Sequence, residues 1–331
     1  MDLLSAIVNA LLQAADGLAW FATTFASTTL NSAELLGSGI AHSQWVIYTA
    51  LLCGAFIGVN FLRGNMRVKW SPLAVKGTLA TFAIVAINGL FAPLVITVAR
   101  AFQDAYDGIG IPQIDPQVWQ AMPRWILIPF AILAYDLVNY WSHRALHTKW
   151  LWPVHAIHHS DPELTAFTTF RVHVFETLVC MGAFTLLLSW LGLPEDALGG
   201  SAVLLGLHNS YQHMDLDWGH GPFRLLIASP RYHRWHHADT PEAHGKNLAN
   251  VFPFLDVIFG TYYVPGRCEH PVGAQGVPGN DVTKLMLFPV VEWLRMGVDA
   301  FRRMRLAAAG KVGPVPGGAT ARLSSATPAS E

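Results

Sequence analysis

Charge is scarce in this chain. Only 13% of its 331 residues are Asp, Glu, Lys or Arg, against roughly 25% in a typical soluble domain. Hydrophobic residues make up 52% and the mean hydropathy is +0.35. Together with long uncharged runs, this deficit points to an integral membrane protein. The formal net charge of −1 leaves no basic surface, so nucleic-acid binding has no support. Cysteine is scarce too. Cys53, Cys180 and Cys268 are far apart, odd in number and form no CxxC, which excludes a disulfide framework and a zinc ribbon. The first residues put Asp2 where the positive segment of a signal peptide belongs, so no cleavable leader is expected.

The apolar runs set out a topology. Residues 3–30 repeat leucine and isoleucine at helical spacing and fit either a weak span or an interfacial helix. Residues 45–62 carry no charge over a length that crosses the bilayer. The run 77–99 is expected as a second span, kinked at Pro93. Residues 125–141 form a third, with Asp136 near its end. Residues 177–193 and 197–207, separated by Pro194, fit a transmembrane hairpin or a re-entrant pair. Arg63, Arg67, Lys69 and Lys76 make a basic loop, whereas 102–123 holds Asp104, Asp107 and Asp115 and no Lys or Arg. The positive-inside rule places the basic loop in the cytoplasm and returns the third span to that side, with the residues from His143 onward.

Histidine is the residue in surplus. Thirteen of 15 histidines fall between 143 and 244. They form His143-x-x-x-His147, His155-x-x-His158-His159 and His233-x-x-His236-His237, with His208 and His213 ahead of the last. On a helix, residues four apart share a face. In each HxxHH cluster the adjacent histidine points about 100° away, so it reaches a second ion or a different site. The clusters supply eight rings and His213 a ninth, more than one zinc needs. Two ions of higher coordination number fit better, and imidazole suits iron. The Glu and Glu-x-x-His pattern of carboxylate di-iron bundles is absent.

Other residues are weighed beside these. His42, His220, His244 and His270 read as packing residues. His173 and His208 read equally as scaffold or as support for a ligand. Asp136, two turns before His143, is expected to hold the second nitrogen of a ligand histidine, with an ion pair to Arg144 as the alternative. A zinc-dependent membrane hydrolase is a competing reading, weakened by the lack of HExxH. A metal-binding or transport protein is another, weakened because its polar residues should lie within the spans rather than flank them.

The string Asp136-x-x-x-Tyr140-Trp141-x-His143-Arg144-x-x-His147, followed by His155-x-x-His158-His159-Ser160, resembles the fatty acid hydroxylase/sterol desaturase superfamily. Ser229-Pro230-x-x-His233-Arg234-x-His236-His237 is similar to its last motif. Tyr211-Gln212-His213 fits the family's single histidine before that motif. Lys246-Asn247 and Asp256-x-x-Phe259-Gly260-Thr261-Tyr262 fit its closing segment, with Leu255 where the family usually has Trp. The resemblance runs from about 130 to 265 and is closest to the sterol desaturase and alkylglycerol monooxygenase branches.

The resemblance implies an all-α integral membrane protein of four or more transmembrane helices, with a cytoplasmic histidine-rich cap over a di-metal site. The expected organisation is N-terminal membrane helices over 1–124, the catalytic domain over 125–265, a helical segment over 266–305 and, from its low-complexity Ala, Gly, Pro and Ser, a disordered tail over 306–331. It implies two iron ions on His143, His147, His155, His158, His159, His213, His233, His236 and His237, with His208, Asp136, His173 and Asn247 as further ligands or supports. The implied reaction is O2-dependent attack on a C–H bond of a lipid from the bilayer. Trp141, Trp152 and Trp235 are candidate tunnel walls, and Arg171 or Arg234 candidate contacts for a head group. No GxGxxG follows a strand and no haem domain is appended, so a ferredoxin or cytochrome with its reductase is expected to supply electrons. The expected location is a bacterial inner membrane.

Overall fold

The computed structural model describes residues 71–308. Among them the chain is helical without a strand, and its one sheet-type pairing is an isolated bridge between Ala238 and Val272.

Helix α1 (Pro72–Leu90) starts at Ser71, whose side chain accepts from the Ala74 N–H. The expected kinked span over 77–99 is instead two helices. Phe91 (φ −90°, ψ 1°) separates α1 from α2 (Ala92–Ile109). Pro93 is the reason: it has no N–H to continue a helix, so it stands in the first turn of the next one, where none is required. Helix α2 then runs on past the apolar stretch. Asp104 and Asp107 stay exposed while Tyr106 is buried, and Gly110 ends the helix at φ 68°. Much of the expected loop 102–123 is therefore helical, including α3 (Pro116–Gln120). Lys76 likewise belongs to a helix rather than to a basic loop.

Helix α4 (Arg124–Leu146) has 23 residues, about 35 Å at 1.5 Å each. It carries the third apolar run directly into His143. After the short α5 (Trp152–His155), helices α6 (Val174–Leu191) and α7 (Glu195–Gln212) form a helix–turn–helix unit whose arms pack on α4 rather than on each other. Gly192, at φ 58°, and Pro194 make its turn. Each arm has 18 residues, about 27 Å. Helix α4 packs on α6 and α7, and α2 packs on α6. The core at the end that holds this turn joins Trp119, Leu127, Ala131, Leu191, Leu193 and Ala197, and the Trp119 indole N–H donates to the Leu191 carbonyl at 2.8 Å.

Among the described residues three helices, α1, α4 and α6, are long and apolar enough to cross a membrane by length and composition. Residues 3–30, the run 45–62 and most of the tail lie outside the described residues. Helix α1 does not simply run away from the histidine end. Ser71 donates to Glu163, the Gly77 carbonyl accepts from Arg171 at 3.3 Å, and the Asn88 amide donates to the Val172 carbonyl at 2.6 Å. Both of its ends are thus tied to the 160–172 segment. A Cβ on Gly77 would meet Asp161 Oδ1 at 2.7 Å, so a larger residue there would displace the Asp161 carboxylate. Arg171 is fully buried and also donates to Ile157, Ser160 and Gly279. It is a scaffold residue, not a contact for a lipid head group.

The remaining helices are α8 (Pro230–His236), α9 (Phe254–Ile258) and α10 (Val282–Ala308). The chain divides into two units at Pro289, within α10.

Candidate metal centre

Each histidine cluster is set by a simple local device. His143 ends the long α4, and His147 caps it. His155 closes α5, and His158 and His159 stand in a 3-10 turn, His158–Ser160. Helix α8 begins at Ser229, whose hydroxyl accepts from the Tyr232 N–H at 3.2 Å, with Pro230 in its first turn. That turn presents His233 and His236, and His237 caps the helix. His213 caps α7.

These nine rings gather into two groups. His143, His147, His155, His159 and His236 form one, and His158, His213, His233 and His237 the other. Within each group one ligand atom per residue lies within 4.8 Å of every other. The neighbours His158 and His159 go to different groups, and so do His236 and His237. In the second group Nε2 of His213 lies 3.1 Å from that of His158 and 2.9 Å from that of His233, which lies 3.2 Å from that of His237. In the first, Nε2 of His143 and His155 are 3.0 Å apart. Nε2 of His147, His159 and His236 is buried without a hydrogen-bond partner.

That chemistry fits metal ions. Adjacent ligands on an ion with bonds of about 2.1 Å stand about 3 Å apart. Burial, and then the neighbouring imidazoles, hold His158, His159, His233 and His237 well below the usual 6.5. Burial brings His236 to about 3. Neutral imidazole is the ligating form.

The outer nitrogens explain the ring orientations. Nδ1–H of His143 donates to the Leu248 carbonyl at 2.8 Å and that of His236 to the Lys246 carbonyl at 2.8 Å. His213 donates to the Asn209 carbonyl at 2.7 Å, and His155 to Glu176 Oε1 at 2.9 Å. Such bonds select the tautomer that leaves Nε2 free. Glu176 was not apparent as a partner from sequence. The only hint was a carboxylate near the start of an otherwise uncharged helix.

The supporting candidates fall elsewhere. Asp136 touches no histidine and no Arg144. Its carboxylate accepts the backbone N–H groups of Asn250 (2.6 Å), Val251 (3.0 Å) and Phe252 (2.6 Å). It acts one step further out, by holding the segment whose Leu248 carbonyl orients His143. Asp256 holds the same segment through Leu248 N–H (2.7 Å) and Ala249 N–H (3.0 Å). Arg144 donates to Tyr140 at 3.1 Å. Asn247, in the left-handed region at φ 56°, bonds to Tyr232 and Tyr263 main-chain groups. His173 caps α6 through the Phe175 N–H and reaches the Met286 carbonyl. His208 joins neither group, and its Nε2 is buried without a partner. Of the tryptophans, Trp152 packs on His147 and His159, Trp141 is half exposed, and Trp235 is buried with its N–H on the Gly266 carbonyl. Arg234 pairs with Asp215 at 3.2 Å.

A cavity of about 90 Å³ reaches both groups, lined by His143 and His155 of the first and by His158 and His233 of the second.

The fatty acid hydroxylase family model matches residues 128–261, the stretch that holds all nine rings. The chain carries a fatty acid hydroxylase domain. Relatives of that domain are found in distant organisms. The ornithine lipid hydroxylase OlsE of Rhizobium tropici is 25% identical over 67% of this chain and 76% of its own length. The alkylglycerol monooxygenase of Danio rerio is 29% identical over 47% of this chain and 35% of its own. The very-long-chain aldehyde decarbonylase GL1-11 of Oryza sativa subsp. indica is 31% identical over 42% of this chain and 55% of its own. The chain thus spans only about a third to a half of the latter two. No solved structure matches.

Proposed function

We propose that this chain is an O2-dependent di-iron oxygenase that hydroxylates or desaturates a C–H bond of a membrane lipid. The observation that carries the reading is the gathering of nine rings, seven of them buried, into two groups that share one cavity. The fatty acid hydroxylase domain and its lipid-hydroxylating and monooxygenase relatives support an oxygenase acting on lipids.

His143, His147, His155, His159 and His236 would hold one iron, and His158, His213, His233 and His237 the other. When bound, the pair supplies the oxidising power for O2-dependent attack on an unactivated C–H bond. The chain's own residues orient and exclude. Leu248, Lys246 and Asn209 carbonyls and Glu176 fix four of the rings. Asp136 and Asp256 hold the segment that carries the Leu248 carbonyl. Burial of seven of the rings limits the access of bulk water. The lipid enters from the bilayer between the helices. Two electrons come from a separate ferredoxin or cytochrome. The histidine end faces the cytoplasm of a bacterial inner membrane, a placement that rests on the sequence excess of Lys and Arg over 63–76.

Lipid extracts from cells expressing the wild-type chain or His158→Ala test this reading. A lipid that gains one oxygen, or loses two hydrogens, only in air and only with the wild type is the expected result. The same product formed without O2 contradicts it. A second reading, a zinc hydrolase on the same rings, draws on Glu176, whose carboxylate lines the cavity and resembles a general base. Product formed without O2 would favour that reading.

A further inference from the structure

The cavity beside the histidines has a mixed wall: Leu146, Val172 and Ala249 line it beside polar side chains drawn from three helices. Asn139 and Asn209 line it. Each lies one helical turn before a clustered histidine, as Asn139-x-x-x-His143 on α4 and Asn209-x-x-x-His213 at the end of α7. Side chains four apart share a helix face, so each carboxamide sits on the bundle side of its ring. Neither carboxamide has a partner among the described residues. Glu176, from α6, is 7% exposed. Its Oε1 accepts from His155, and its Oε2 is buried, unpartnered and part of the same cavity wall.

Three helices therefore bring unmet hydrogen-bonding capacity to one small space against both histidine groups. A methylene placed there would leave the buried Glu176 oxygen unsatisfied, which is costly, and would cover two half-buried carboxamides. A site built to hydrogen-bond its substrate rejects the analogue lacking that group by about 10⁴-fold.

We infer that the carbon attacked lies within two or three bonds of a hydrogen-bond donor in the polar part of the lipid, a hydroxyl, amide N–H or ammonium, and not in mid-chain. Glu176 Oε2 accepts from that donor, and Asn139 and Asn209 bond its neighbouring polar atoms. The inference rests on the oxygenase reading. In a hydroxylation one atom of O2 enters the C–H bond. The other leaves as water, with two electrons from the external electron carrier and two protons from solvent.

The test is the position of the inserted atom. Cells expressing the wild-type chain are grown under ¹⁸O2, and fragmentation of their lipids locates the label. Label on a carbon next to a hydroxyl- or nitrogen-bearing group is the expected result. Asn139→Leu and Asn209→Leu should each lower labelled product at least tenfold while the protein keeps the wild-type iron content. Label in the middle of an acyl chain overturns the inference and leaves the oxygenase reading standing. So does undiminished product from both variants. No O2-dependent change in any lipid overturns the oxygenase reading and the inference with it. Should the variants lose iron, the label position in the wild type still decides.

Discussion

Glu176 Oε1 accepts the Nδ1–H of His155 at 2.9 Å, across 21 residues of sequence. Among the nine rings described above, His155 is the one whose outer nitrogen meets a carboxylate. A carboxylate raises the basicity of the opposite nitrogen, and loss of such a partner typically costs about 10–100-fold in metal affinity. Glu176→Leu should therefore release iron to a chelator at concentrations about tenfold lower or more. Glu176→Gln keeps an acceptor oxygen and should fall in between. Metal retained per chain after dialysis against graded chelator reads this directly.

The two groups should not lose metal together. The five-ring group has three rings anchored through His143, His155 and His236. The four-ring group has one, through His213, and the Nδ1 atoms of His158, His233 and His237 are buried without partners. Chelation should proceed in two phases, with the first ion leaving the four-ring group. Single-phase release of both ions would contradict the difference.

Asp136 serves the backbone. Three main-chain N–H groups converge on its fully buried carboxylate, and a buried donor left unsatisfied costs about 1–3 kcal/mol. Asp136→Ala should destabilise the protein by about 3 kcal/mol or more, read as a lower midpoint of thermal unfolding in detergent. Asp136→Asn, which keeps one acceptor oxygen, should cost less. Equal stability of the Ala variant and the wild type would remove Asp136 from the scaffold.

Acid should destabilise the metal-free protein. Burial lowers the folded-state pKa of His158, His159, His233, His236 and His237 below 6.5. Between those lowered values and about 6.5 the unfolded chain binds more protons than the folded one. Stability is then fully present above about pH 6.5 and is lost as the pH falls below it. Unfolding followed from pH 8 to pH 5 measures the slope, and a flat profile would contradict the burial of neutral rings.

Sequence carried the ring set further than it carried the helices. HxxxH and HxxHH are local patterns, and a turn of helix converts their spacing into direction, so the division of His158 from His159 follows from the rotation of about 100–120° between successive residues of an α- or 3-10 turn. Hydropathy, by contrast, reports where a run is apolar and not where a helix begins or ends. That is why 77–99 reads as one span although Pro93 starts a new helix, and why α2 extends through Asp104 and Asp107. Asp136 shows a different limit. A carboxylate two turns before His143 has several partners within reach in sequence terms. Its actual partners, Asn250 to Phe252, come from more than a hundred residues away, and no local spacing announces them. Glu176 and the Nδ1 carbonyl acceptors are hidden for the same reason.

The measurement that bears most directly on the central claim is metal content together with O2 reactivity, on protein purified without air and on His158→Ala. The account predicts about two iron ions per chain, oxidised by O2 after reduction, and loss of iron from the variant. One zinc ion per chain, with no O2 reactivity even after reconstitution with iron, would contradict it.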